Sequence, residues 1–307
     1  MNIIFHSGIN NNDRPERFNF VTSTFTDLAN TFEELGNTCL LLVHPKSVHP
    51  NLYKNFILLE NMNDMNLDFF RPDFVFTWNG NMRGDKLIKK KYKNNKIIYG
   101  ELSIFEHKDA CYFNFLSNGS HSNFLNRDLN IDLTEDYKND RDLLANKFKK
   151  ERLFNDRYVF VPLQDNEYTY LLEYSYVKNV TDLLIYVENL YIEEDDIKIL
   201  YKQHPNSIID IDLKLSDKFI EVKEDAHHYL PYAEKVIGIT TNCLTETLLY
   251  HDRVLALGEC LASRKFKDDD EIYKYISMLY RNQLYWCDLK DKIKIENSYF
   301  YKKMKNN

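Results

Sequence analysis

Apolar positions along this chain fall into short runs separated by stretches of helical spacing. Residues 2–5 form a first run, and a polar loop follows. Residues 22–35 (TSTFTDLANTFEEL) carry apolar side chains at helical intervals and stop at Gly36, which predicts a helix closed by a glycine C′ residue. CLLLVHP (39–45), NFILLE (55–60), DFVFTWNG (73–80) and KIIYGE (96–101) read as strands, with a polar, basic helix over 83–95 before the last of them. Residues 128–157 are highly charged and lack strand periodicity, which suits an inter-domain segment with a helix near 140–150. The theme then repeats. RYVFVPLQ (157–164), IKILYKQHP (197–205), KFIEVKE (218–224), KVIGITT (235–241) and RVLALGE (253–259) read as strands. Helices are expected over 180–192, 243–251 and 268–286, and in the tail. Strands alternating with helices imply parallel sheets covered on both faces. The predicted fold class is α/β: two Rossmann-like, doubly wound domains facing across a cleft. The predicted domains are 1–150 and 151–307, with a C-terminal helix able to pack back on the first.

A chain of 307 residues suits two such domains. Aromatic residues make up 14%, enough for cores and for sugar-stacking surfaces. A net charge of -7 argues against a nucleic-acid partner. The five cysteines form no CxxC pair, which speaks against a zinc knuckle and suits a reducing compartment. With no apolar run of about 18 residues, the expected location is cytoplasmic. The basic stretches KKERLF and YKKMKNN leave peripheral membrane contact open. Eight glycines, with no GxGxxG, P-loop or GxSxG, exclude readings that need a glycine-rich phosphate loop.

Open parallel sheets bind ligands beyond the carboxyl ends of their strands. In the second half those ends carry Gln164 and Asp165, Lys202 and His204, Thr241 and Asn242, and Gly258 and Glu259. In the first half they carry His6 and Gly8, Trp78 and Asn79, and Glu101. Thr241 and Asn242 open a helix, where they either hold an anion or simply cap the helix. Glu246 follows Asn242 by four residues on the same face, placed either to accept from ribose hydroxyls or to face solvent. Lys202 and His204, two apart at a strand end, point the same way, and Pro205 biases His204 towards extended backbone. The pair either donates to a phosphate or marks a turn. Glu101 is a candidate base for an acceptor hydroxyl, or a surface ion pair. Trp78 is a sugar platform or a core residue. The adjacent His227 and His228 are poorly arranged to share a metal, and no metal site is expected. The acidic runs at 193–196 and 268–271 read as solvated caps.

YVFVPLQDN, ILYKQHPNS and AEKVIGITTNCLTETLLYHDRVLALGE, in that order, resemble the capsular polysaccharide glycosyltransferases. That family includes Kdo transferases, and its nucleotide half is similar to bacterial sialyltransferases. FVFTWNGN and IIYGELSIFEHKDACYFNFLSNGSHSN extend the resemblance over roughly residues 70–260. The resemblance implies a GT-B fold and a metal-independent enzyme using a nucleotide-sugar, most simply CMP-Kdo or a CMP-sialic-acid-like donor, with no further cofactor. It also implies a glycan acceptor. On the matching positions it implies His204, with Lys202 nearby, at the donor phosphate. Thr241 and Asn242 fill the Ser-Thr positions, Glu246 meets the ribose, Gln164 lines the nucleotide pocket and Glu101 is the catalytic carboxylate. Trp78 and Asn79 fall on the acceptor side. The sequence departs from the pattern at Thr240-Thr241-Asn242, where the family has Asn-Ser-Thr, at Ser103-Ile104 after Glu101-Leu102, and at Phe115-Leu116. A polyol-phosphate transferase and a non-catalytic glycan- or nucleotide-binding protein on the same scaffold are the alternatives.

Overall fold

The protein was analysed as a computed structural model, which describes residues 1–7, 15–43, 51–58, 70–78, 88–92, 96–106, 108–114, 136–164, 175–204, 211 and 215–306. The strands, in chain order, are β1 (Asn2–His6), β2 (Thr38–Val43), β3 (Phe56–Leu58), β4 (Phe74–Trp78), β5 (Ile97–Leu102), β6 (Ala110–Asn114), β7 (Tyr158–Pro162), β8 (Lys198–Lys202), β9 (Phe219–Glu221), β10 (Lys235–Gly238), β11 (Val254–Ala256) and β12 (Leu284–Tyr285). The chain divides into two compact units: residues 1–123 with 282–307, and residues 124–281.

In the first unit a seven-stranded sheet has the order β12-β6-β5-β4-β1-β2-β3. From β5 to β3 every pairing is parallel, while β6 and β12 add antiparallel strands at one edge. The helix Pro15–Glu34 closes as its glycine predicts. Gly36 takes φ +80°, its N–H meets the Glu33 carbonyl, and the Asn37 N–H reaches back to Phe32. The core is largely aromatic: Phe5 stacks on Phe76, and Phe32 and Phe113 pack against Phe300. Phe300, Tyr301 and Met304 come from the C-terminal helix Tyr299–Lys305, so the tail completes this core.

In the second unit a five-stranded, wholly parallel sheet has the order β11-β10-β7-β8-β9. β7 is buried along its whole length, as a central parallel strand should be. The helix Val180–Leu190 starts where the Asn179 side chain accepts from the Asp182 N–H, and it buries Val180, Leu183, Leu184 and Val187.

Two expectations are corrected. The division falls at 123/124 and 281/282 rather than at residue 150, because the charged helix Tyr137–Phe148 is built into the second unit. Its Arg141 Nε donates to the carbonyls of Leu248 and Leu249, and its Asp140 binds Arg281 and Ser277. The helix expected to run to residue 286 ends at Arg281, and Leu284–Tyr285 pairs instead with β6. β6 itself lies in a stretch without clean alternation; a turn with Glu106 at φ 57° returns the chain from β5 to form it. No helix among the described residues is long and apolar enough to cross a membrane.

Candidate functional site

Both sheets contain the order 3-2-1-4-5, counting strands within each unit. Chain direction around such a sheet reverses between its first and fourth strands, and the carboxyl ends there diverge to leave a crevice. In the second unit this switch point lies between β7 and β10.

Gln164, two residues past β7, is buried and spans that point. Its Oε1 accepts the Thr240 N–H at 2.7 Å and its Nε2 donates to Thr240 Oγ1 at 3.0 Å. One side-chain amide thus clasps the ends of the two strands. The next residue, Thr241, caps the short helix Asn242–Thr247, its hydroxyl accepting from the Cys243 N–H at 3.4 Å. Thr241 therefore caps its own helix, which is one of its two sequence readings. Gly238 makes the tight exit possible, since a Cβ there would sit 3.1 Å from the Thr241 methyl.

Lys202 and His204 lie at the same carboxyl edge on the other side of β7. Neighbouring strands are about 4.8 Å apart, which sets the ends of β8 and β10 about 10 Å from one another. The Lys202 Nζ donates to the Lys223 carbonyl at 2.8 Å, tying β8 to the segment after β9. His204 is half-buried, two residues beyond β8, while Pro205 lies outside the described residues.

Glu246 occupies the Asn242 face one turn later. It is not the solvent-facing glutamate that spacing alone allows: its side chain is 21% exposed and burial, with Asp225 adding to it, pushes its carboxyl up to about 7. Facing it at 3.9 Å is Nε2 of His227. That ring is held by a 2.8 Å hydrogen bond between its Nδ1 and the Tyr250 hydroxyl, and it stacks on Phe148 at 5.2 Å. Sequence reasoning weighed His227 only as a metal ligand. Its neighbour His228 turns instead to the Glu151 carbonyl. Among the described residues no group of three or more His, Cys, Asp or Glu could hold a metal ion.

In the first unit, Glu101 is half-buried near the end of β5, opposite Tyr112. Trp78 corrects an expectation. The residue is 4% exposed, its ring edge-packed with Phe20 and Phe25 and close against Gly100, so it belongs to the core and offers no face to a sugar. Asn79, Gly8 and Asp165 lie outside the described residues. His6 and Ser7 end β1 at this unit's own switch point, both fully buried, with Ser7 bound to the Leu42 carbonyl.

No family model matches the chain, and no curated protein does. Among solved structures it resembles Thermosulfurimonas dismutans KpsC, described as a beta Kdo 2,7 transferase, at 12% identity and a TM-score of 0.57, over 93% of this chain and 92% of that one. A second KpsC structure from the same organism, described as a beta Kdo 2,4 transferase, matches at 11% identity and a TM-score of 0.55 over the same shares. At such identity the likeness is one of fold. The fold is the α/β, GT-B type, as the resemblance in the sequence implies.

Proposed function

We propose that the chain is a glycosyltransferase that moves a sugar from a nucleotide-activated donor, CMP-Kdo or a CMP-sialic-acid-like sugar, to a hydroxyl of a glycan acceptor in surface polysaccharide synthesis. The observation that carries this reading is the β7–β10 switch point. A glutamine clasp and a capped helix start lie there, and a strand-end histidine stands across β7 on the same carboxyl edge, on a fold shared with two Kdo transferases.

The donor's phosphate lies at the carboxyl edge of the second sheet. Protonated His204, with Lys202 beside it, meets the negative charge that grows on the phosphate as the bond from phosphate oxygen to anomeric carbon breaks. Backbone N–H groups at Thr241 and Asn242 add to this. Glu246 accepts from the ribose, and Gln164 keeps the two strand ends at a fixed separation under the nucleotide. Glu101 takes the proton of the acceptor hydroxyl as its oxygen bonds to the anomeric carbon. Charge on the leaving group is met by side chains and helix N–H groups, so the proposed chemistry uses no metal and no cofactor besides the donor. We place the activity in the cytoplasm, in keeping with five free cysteines.

A thermal-shift series with CMP, CDP, UDP and GDP tests the donor site. A ligand at about a hundred times its dissociation constant stabilises the fold by about 2.7 kcal/mol. CMP or CDP is expected to give the largest shift and His204→Ala to abolish it; equal shifts from all four, or from none, would count against the assignment. For the chemistry, mass-tagged CMP-Kdo should lose its sugar, without phosphate, to the acceptor. Glu101→Gln should stop that transfer while CMP still binds. Transfer of a phosphoryl group would point to a polyol-phosphate transferase instead.

A further inference from the structure

We infer that His227 is a positioning residue for Glu246, holding its carboxyl in place and sharing its proton, so that recognition of the nucleotide's ribose depends on pH. This rests on the reading of the β7–β10 switch point as the nucleotide site.

The geometry begins with the ring. His227 stands on the 3-10 turn Ala226–His228, whose start is capped by Asp225 through the His227 N–H. Three contacts fix it. Phe148 covers one face with an interplanar angle of 15°, the Tyr250 hydroxyl holds Nδ1, and Nε2 is left pointing at the Glu246 carboxyl. At 3.9 Å this is an ion-pair distance rather than a hydrogen bond, short enough for the charge on one group to govern the other. A histidine held so firmly has little freedom to do anything else.

The tautomer follows from Tyr250. When its hydroxyl donates to Nδ1, the ring proton sits on Nε2 and faces Glu246, which favours the carboxylate. When Nδ1–H donates to the hydroxyl, Nε2 is a bare acceptor and favours the protonated acid. The pair therefore has two self-consistent arrangements, the one with the protonated acid and a bare Nε2 holding one proton more than the one with the carboxylate facing Nε2–H. Burial biases both groups towards neutrality, raising Glu246 and lowering His227. The other charged or titratable groups around them are Asp225 and His228 on the same turn, Lys150 on the segment after helix Tyr137–Phe148, and Cys243 on the helix of Glu246. Asp225 is held low in part by the His227 N–H and by Lys150 at 2.9 Å, so it stays ionised through the neutral range. The Cys243 thiol is pushed up by burial and stays protonated. The proton that moves near neutrality is thus the one between His227 and Glu246.

Only the carboxylate is a pure acceptor for ribose hydroxyls, so ribose recognition strengthens as pH rises through the Glu246 midpoint. A 2′-deoxy nucleotide lacks one of those hydroxyls. The ratio of CMP to 2′-deoxy-CMP affinity isolates the effect, because the phosphate's own titration cancels.

Two measurements on the full-length chain test this. In the first, NMR of glutamate labelled at Cδ follows the Glu246 carboxyl, identified by its loss in Glu246→Gln. Its midpoint is expected near 7. His227→Phe keeps the stack on Phe148 but has no donor, and should raise the midpoint by about one unit; His227→Gln restores a donor and should return it most of the way. One unchanged midpoint in all three proteins, or a wild-type midpoint near an ordinary 4.5, overturns the inference; should the Phe variant fail to fold, the Gln variant and the wild type still decide it. In the second, calorimetry should show the CMP to 2′-deoxy-CMP affinity ratio rising about tenfold between about pH 5.5 and about pH 8.5, with a midpoint that follows Glu246 in each variant. A flat ratio with both nucleotides bound overturns the ribose role and leaves the proposed function standing. Binding of neither nucleotide overturns the proposed function and the ribose role together, while the NMR midpoints still decide whether the pair exists.

Discussion

Gln164 shows how a strand-end residue can be placed from sequence while its task is not. A polar side chain after a buried run marks the carboxyl edge, and the structure puts it there. Its partner, Thr240, lies 76 residues away, and no local pattern announces a pairing of that length. Replacing Gln164 with Leu would leave the buried Thr240 N–H without its acceptor, and should lower stability by about 1–3 kcal/mol, read as a shift of the urea midpoint at constant slope. Trp78 gives the opposite lesson. A tryptophan at a strand end fits a sugar platform and a core equally well, and what decides is a neighbour with no side chain. A Cβ at Gly100 would come within 2.8 Å of the Trp78 ring and 2.9 Å of Phe113. Gly100→Ala should therefore cost about 1–3 kcal/mol through overpacking, with a changed Trp fluorescence spectrum as the mark of a displaced indole.

At the scale of elements, parallel strands and the helices that cover them follow from hydrophobic runs and their stops, because burial on both faces writes itself into the sequence. What escaped was held by non-local polar contacts. β12 reads as part of a helical pattern because nothing near Leu284 shows that Gln283 and Tyr285 bind Glu106. The helix Tyr137–Phe148 reads as a linker because its polar side chains have distant partners in Asp270, Arg281 and the carbonyls at 248 and 249. The stretch joining helix Asn242–Thr247 to β11 carries another such contact, with consequences for pH. His251 Nε2 donates to the Leu230 carbonyl, and burial lowers its pKa to about 4. The unfolded chain therefore binds a proton between the ordinary value of 6.5 and 4 that the fold refuses. Stability from this group is complete above 6.5 and is lost as pH falls through 4. Glu246 runs the other way: its contribution is complete below 4.5 and fades as pH rises through about 7. His251→Gln can keep the bond to Leu230 without the titration. It should flatten the acid limb of the stability profile by at most about 3 kcal/mol, measured by urea melts at a series of pH values.

At the scale of the whole molecule, the chain leaves its first unit, builds the second and returns. The second unit is one uninterrupted segment, 124–281, whereas the first needs residues 282–307 as well. The returning segment supplies Leu284, Leu289, Ile295, Phe300, Tyr301 and Met304 to the first unit's core. Tyr301 also receives a hydrogen bond from Asn37, and Thr31 donates to the Leu289 carbonyl. Removing a single buried phenylalanine costs about 3–5 kcal/mol, and a domain's whole stability is about 5–15 kcal/mol. A fragment of residues 1–123 should therefore fail to fold, whereas 124–281 should unfold cooperatively on its own. Both tryptophans, Trp78 and Trp286, belong to the first unit, which makes the test direct. Titrating a synthetic 282–307 peptide into 1–123, with Trp286 replaced by Phe in the peptide, should bury Trp78 and produce a saturable blue shift in its emission. The 124–281 fragment contains no tryptophan, and its unfolding is followed by circular dichroism. A 1–123 fragment that melts cooperatively without the peptide would show that the tail decorates the core rather than completing it, and Phe300→Ala in the full chain would then leave the tryptophan transition where it was.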